Sequence, residues 1–436
     1  MGRSCGPDRR VPGFAHHLWR LLPRGPRRRA AFAVAARLAP HPAPEPLRPA
    51  SGIIVAGHLH QATGLGEAAR VLRSVMSRLG LPVWSVDLDA PVLPPWLPPA
   101  APLLIHANPP MLPLALRALP PGVLGQRMVI GYWAWELTRP SPLWQRGTAF
   151  VHRAWAASEF AAEGLAPLGV PVRAVPLPLA LAPPRPSALR RVDFGLPEDA
   201  VVTLVSLNLA SSHVRKNPEA AIAAHREAFG ERPDRILVLK VTNPDHFRRD
   251  MAALVAKADG PNIRILAETL AAPDAHALTL ACDIVMSLHR SEGFGLVPAE
   301  AMLLGKPVVA TGWSGNLEFM DANSAALVGY KLVPAMDPRG IYEAPGAVWA
   351  EADVGEAAAH LRRLADDPVA RAELAARGQA HAVASLGPQK LLAALAEIGL
   401  AIPGAVASRP AAQAAPGAGQ SVAAPSVAGF PVSGHA

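Results

Sequence analysis

Only two cysteines occur in the 436 residues, Cys5 and Cys282. Cys5 lies in the N-terminal leader and Cys282 in an apolar run that reads as core. That excludes a disulfide framework and a cysteine-rich metal site, and it agrees with a reducing compartment. No stretch reaches 18 uninterrupted apolar residues, so no membrane-spanning helix is expected. The apolar run at residues 30–36 is too short and ends at Arg37, and its order relative to the basic residues does not fit a secretory signal. Lysine is scarce, six residues against 36 arginines. Over most of the chain there is also no excess of either charge. Residues 1–50 hold ten Arg against Asp8 and Glu45, so this arm carries the whole net charge of +8 and residues 51–436 carry none. A neutral body of that size argues against a nucleic-acid partner. The arm is expected either to be disordered or to lie on an anionic membrane surface, with Phe14, Leu18 and Trp19 as apolar contacts. Residues 403–436 are Ala, Pro, Gly and Ser with almost no charge and no periodicity, which predicts disorder.

What is present is an alternation of short apolar runs and helical patterns. Strands are expected at 51–57, 83–87, 103–107, 128–136, 201–207, 236–241, 263–266, 283–288 and 307–311. Helices are expected at 67–76, 111–118 and 219–229, from Pro298 to 304, within 351–384 and at 389–400. Strands that alternate with helices predict an α/β chain with parallel sheets. The proline-rich stretch 176–191 divides it. The expected layout is a first domain 51–182, a linker 183–192, a second domain 193–385, a last helix within 386–402, and the two tails.

The densest signal is residues 283–311. A buried-strand pattern runs into the turn Glu292-Gly293-Phe294-Gly295, then Pro298 opens a helix that ends at Gly305, and a second apolar strand follows. This is a βαβ unit, with its turn at the carboxyl end of a parallel strand, where open α/β sheets bind ligands. Glu292 and Glu300 bracket the turn, and Glu300 is expected in the first helical turn. The free amides around Gly295 and Leu296 suit a phosphate. A carboxylate accepts two hydrogen bonds, which matches a ribose diol or a pair of sugar hydroxyls. The plainer alternatives are a Glu300 that only complements the helix dipole and a solvated Glu292; their occurrence within one nine-residue motif favours the ligand reading.

Three further places carry candidate chemistry. Arg215-Lys216-Asn217-Pro218 sets two cations ahead of a helix N-terminus, which is unfavourable unless an anion joins them; a solvated pair is the alternative. Gly64-Leu65-Gly66, after the first strand, lets backbone amides approach a phosphate, although many tight turns need two glycines. Trp133, Trp135 and Glu136 end the fourth strand in aromatic faces and a carboxylate, a set that suits a pyranose; an aromatic core strand with a capping Glu is the alternative. His58 and His60 lack a third ligand at metal spacing, so no metal is expected. Ser158 reads as a helix N-cap, and residues 313–318 read as a structural turn.

With those residues in place, the chain resembles the retaining family 4 glycosyltransferases from about Gly52 to Leu400, most specifically in Glu292-x7-Glu300. The resemblance implies the GT-B fold, two Rossmann-like α/β domains facing across a cleft. It also implies a nucleoside diphosphate sugar donor, GDP-mannose by default, and chemistry without a metal. Glu292 and the backbone of Gly293, Phe294, Gly295 and Leu296 then attend the donor sugar and phosphate, and Glu300 the ribose. Arg215 and Lys216 hold the leaving pyrophosphate, and the loop of Gly64 and Gly66 lies against the diphosphate and acceptor. Residues 266–270 frame the base. Glu136 stands where many members carry His, as in a subgroup that acts on mannose-type donors. The implied acceptor is a glycan or lipid-linked sugar in cell-surface polysaccharide synthesis, at the cytoplasmic side. The competing readings are a nucleotide-sugar 2-epimerase of similar fold and a non-catalytic membrane-surface binding protein.

Overall fold

A computed structural model of the protein describes residues 24–400 and 402, apart from 62, 95 and 343. Two six-stranded sheets carry it. The first contains β1 (Ile53–Gly57), β2 (Val83–Asp87), β3 (Leu103–Ile105), β4 (Val129–Trp133), β5 (Arg153–Ala156) and β6 (Val172–Ala174) in the order β2-β1-β3-β4-β5-β6. The second contains β7 (Val201–Asn208), β8 (Arg235–Thr242), β9 (Ile263–Leu266), β10 (Ile284–Ser287), β11 (Val308–Thr311) and β12 (Ala326–Val328) in the order β12-β11-β10-β7-β8-β9. Every pairing in both sheets is parallel. These are the two Rossmann-like α/β domains that the resemblance implies. Parallel sheets are covered by helices on both faces, which is why β1, β4 and β11 are buried at every residue and read as unbroken apolar runs.

The helices are α1 (Arg24–Leu38), α2 (Gly64–Arg78), α3 (Leu112–Ala118), α4 (Glu159–Leu165), α5 (His213–Lys216), α6 (Pro218–Phe229), α7 (Arg248–Lys257), α8 (Ala272–Ala281), α9 (Leu296–Leu303), α10 (Val354–Asp366), α11 (Pro368–Ser385) and α12 (Gln389–Glu397). In α2 the Thr63 side chain accepts the Gly66 amide and caps the start, while Val71, Leu72, Val75 and Met76 face inward at helical spacing. Each such side chain contributes about 1.5–3 kcal/mol by leaving water. One apolar cluster runs from Val55 and Leu72 through Leu177 and Leu179 to Val202 and Val285, so the two sheets share a core. From the second domain α12 returns to the first, where Glu397 pairs with Arg153 at 2.9 Å and with Arg173.

Both sheets place a topological switch beside the cleft. β1 lies between β2 and β3, and β7 lies between β8 and β10, so successive connections leave in opposite directions. A crevice opens at the carboxyl ends of such strands. In the second domain it lies between the loops after β7 and β10, which carry Arg215-Lys216 and Glu292.

Several elements were not read from the sequence, the short strand β6 among them. Helix α1 buries Phe32 and Ala35, and the chain after it is seated on the first domain. There the Leu47 amide donates to Gln126 at 2.8 Å, the Ala50 amide to Ala100 at 3.0 Å, and His152 Nε2 lies 2.8 Å from the Ala43 carbonyl. Within the basic arm, Phe32, Ala35 and the backbone at 43, 47 and 50 are therefore tied to the first domain, whereas 1–23 lie outside the described residues, as does the 403–436 tail. The short strand β12 was also missed, as was an antiparallel hairpin of β13 (Tyr330–Pro334) and β14 (Val348–Ala352). The hairpin is largely exposed along β13 and shows no alternation. Among the described residues no helix is long and apolar enough to cross a membrane.

Candidate active site

The β10–α9 turn is held from three sides. The Glu292 amide donates to Ser314 Oγ at 2.8 Å, and the Glu292 carbonyl accepts the Gly315 amide at 2.9 Å. From the first domain, Ser158 Oγ donates to the Gly293 carbonyl at 2.6 Å while also accepting the Ala161 amide as the cap of α4. Residues 313–318 thus support the turn, as expected. Gly295 takes φ +92° and ends the turn as the cap of α9, a conformation that favours glycine. A Cβ on Gly315 would sit 2.4 Å from the Gly293 oxygen. Gly315→Ala is therefore expected to displace the turn and lower the melting temperature; a thermal melt checks this.

The helix begins earlier than the proline suggested. α9 starts at Leu296, which makes Pro298 its third residue and Glu300 its fifth. Glu300 therefore lies in the second turn, and a role in complementing the first-turn amides is lost. Its carboxylate instead faces α8, with Oε1 3.3 Å from His276 Nε2. Burial, with a smaller contribution from Glu67, raises its tendency to hold a proton, and His276 opposes that.

Arg215 and Lys216 end the one-turn helix α5; Asn217 is left-handed at φ +51°, and Pro218 opens α6. The anion that joins these cations is the protein's own. Lys216 Nζ lies 2.5 Å from Glu292 Oε1, and Arg215 Nη1 lies 3.1 Å from Glu292 Oε2. Arg215 also donates to the Ser291 carbonyl at 2.6 Å and reaches Glu136 of the first domain at 3.5 Å. Burial works against the Glu292 charge, but Lys216 and Arg215 outweigh it and hold the carboxyl well below the ordinary range. Burial likewise works against the Arg215 charge; Tyr342, Glu292 and Glu136 keep the guanidinium protonated. Tyr342 stands beside Glu136, and its ring centroid lies 5.6 Å from the Arg215 guanidinium carbon. It arrives from the β13–β14 connection, whose Pro- and Gly-rich composition gave no sign of a buried aromatic.

These groups line one cavity of about 330 Å³ between the domains. It brings together Gly64, Glu136, Arg215, Lys216, Glu292, Gly293, Phe294, Gly295, Leu296 and Glu300. Gly66 does not line it; a Cβ there would meet the His58 and Gln61 carbonyls at 2.7 and 2.8 Å, so this glycine serves the loop's own turn. Phe294 also packs on Phe319 in the core. Trp133 and Trp135 are corrected. Both are buried in the first-domain core against Trp144. Neighbouring residues of an extended chain face opposite ways, so Tyr132 and Ala134 face the cavity instead. His58 pairs with Asp89 at 2.8 Å and His60 with Asp87 at 3.3 Å, two separate carboxylates. Thr269 and Leu270 border the cavity near the expected base frame. Glu67, Lys240, Thr242 and His276 also line it and were not read from the sequence, since a single buried polar residue leaves no pattern.

Comparison with known proteins agrees with this fold. No curated protein is significantly similar in sequence. Among solved structures, Alr3699/HepE from Anabaena, in complex with UDP and glucose, matches with a TM-score of 0.53 at 16% identity, over 80% of this chain and 100% of that one. WaaG, a glycosyltransferase involved in lipopolysaccharide biosynthesis, matches with a TM-score of 0.50 at 15% identity, over 81% and 100%. The alpha,alpha-trehalose 6-phosphate synthase from Burkholderia multivorans matches with 0.51 at 12% identity, over 80% and 99%. At these identities the likeness is one of fold, the two-domain GT-B arrangement. The family model Glycosyl transferases group 1 matches residues 212–367, the stretch that carries Arg215, Lys216, Glu292 and Glu300.

Proposed function

We propose that the protein is a retaining glycosyltransferase that moves a hexose from a nucleoside diphosphate sugar to a glycan or lipid-linked acceptor in cell-surface polysaccharide synthesis. One observation supports this above the rest. Two cations, Arg215 and Lys216, meet two carboxylates, Glu136 and Glu292, in an interdomain cavity whose wall also holds Glu300. A diphosphate competes with Glu292 for Lys216 and takes up the helix-start amides, which releases Glu292 toward the sugar hydroxyls. The bond between the anomeric carbon and the phosphate oxygen breaks, and its electron pair stays on the diphosphate. Arg215 and Lys216 stabilise that developing charge. The acceptor oxygen then bonds to the anomeric carbon on the vacated face, and its proton passes to the departing phosphate oxygen. Glu136 in place of His favours mannose as the sugar, so GDP-mannose is the first donor to try.

A thermal-shift screen against GDP-, UDP- and ADP-sugars tests the reading without knowledge of the acceptor. Ligand at about 100 times its dissociation constant adds roughly 2.7 kcal/mol to the folded state. A clear rise in melting temperature with at least one donor is expected; no rise with any of them would refute the proposal.

A further inference from the structure

The segment that joins the two domains reaches the cavity through one histidine. His276 lies on α8 and lines the cavity beside Glu300. Its Nε2 is 3.3 Å from Glu300 Oε1. On the far side of the ring, Nδ1 accepts the Arg185 amide at 3.2 Å and lies 3.3 Å from the Arg185 carbonyl. Arg185 belongs to the proline-rich joining segment, and the same segment is tied to the start of α8 by the Ser187 amide, which donates to the Pro273 carbonyl at 2.9 Å.

This geometry fixes what the ring offers Glu300. When the ring is neutral and Nδ1 accepts the Arg185 amide, the proton sits on Nε2, the nitrogen that lies 3.3 Å from the carboxylate. When the ring is charged, Nδ1–H turns to the Arg185 carbonyl and Nε2–H still faces Glu300. Both states leave an N–H beside one carboxylate oxygen. Among the described residues, no other side chain forms an ion pair or hydrogen bond with Glu300. Such a hold matters here, because a carboxylate grips both hydroxyls of a diol only when ionised and fixed in plane. Burial and the facing Glu67 work against that ionisation.

We infer that His276 is a positioning residue: anchored to the interdomain segment, it orients Glu300 toward the 2′- and 3′-hydroxyls of the donor ribose. The inference rests on the proposed function for the presence of a ribose, and goes beyond it in naming the residue and the segment that hold Glu300.

Titration calorimetry with UDP, 2′-deoxy-UDP, GDP and 2′-deoxy-GDP tests it on wild type, His276→Phe and His276→Gln. The ratio of ribo to deoxy affinity does not depend on how much of a variant is folded. Wild type is expected to favour the ribonucleotide by about tenfold or more, the worth of a hydrogen bond to a charged group. His276→Phe keeps a ring but offers no proton, and is expected to lose most of that preference. His276→Gln, whose amide nitrogen stands in for Nε2, is expected to keep it within about twofold, a small part of what one hydrogen bond contributes. If wild type and His276→Phe discriminate equally, the inference about His276 is wrong while the proposed function stands. If wild type binds the nucleotides without discriminating, the ribose role of Glu300 falls and His276 falls with it. If wild type binds none of them, the proposed function itself is overturned.

Discussion

Lys216→Ala is expected to lower turnover on a verified donor by about 10²–10³-fold, the usual cost of removing one preorganised group that stabilises charge as a bond breaks. The effect falls on turnover because the proposed mechanism sets Lys216 beside the leaving group. The fold is expected to survive, since Lys216 is partly exposed and Glu292 keeps Arg215 as its partner. Steady-state kinetics beside a thermal melt checks both halves. Wild-type turnover in the variant would remove Lys216 from the mechanism.

Arg215→Met is expected to act on stability as well as on turnover. Arg215 is 2% exposed and stands between Glu136 of one domain and Glu292 of the other. Removing one partner from a buried ionic cluster leaves uncompensated charge and costs about 3–5 kcal/mol. The double variant Arg215→Met with Glu292→Gln removes part of that charge and is expected to recover part of the loss. The pH dependence follows from Glu292, whose folded carboxyl titrates well below the ordinary carboxylate range. A lowered value means that its contribution is full above the unfolded pKa, about 4.3. The contribution is lost only as pH falls through the lowered folded value. Lys216 still pairs with Glu292 in the variant and keeps it ionised, so the deficit of Arg215→Met is expected to be the same at pH 8 and at pH 5.5. Denaturant unfolding at both values measures it, and a deficit that vanished by pH 5.5 would contradict the ion-pair account.

The parts of this site that were legible in sequence lie close together along the chain. Strand, Glu292 turn and helix occupy a short run, and so do Arg215 and Lys216 with the helix they precede. Glycine, proline and apolar runs punctuate such units well. The misreadings concern direction and distance. Trp133 and Trp135 looked like a sugar platform because composition does not say which face of a strand turns inward; one residue of offset put Tyr132 on the cleft instead. Pro298 is tolerated anywhere in a first turn, so it could not fix where α9 begins, and Glu300 moved one turn along. His276 reaches the cavity, and Tyr342 reaches Glu136 on its wall, from remote segments. Their contacts with Glu136 and Glu300 come from the order of strands in two sheets, which local patterns do not encode.

The most direct measurement is an experimental structure of the protein with UDP or GDP bound. The account predicts the nucleotide in the interdomain cavity, with a phosphate oxygen within hydrogen-bond distance of Lys216 Nζ, Lys216 drawn from Glu292, and the ribose hydroxyls on Glu300. A nucleotide seated outside that cavity, or one whose diphosphate avoids Arg215 and Lys216, would contradict it.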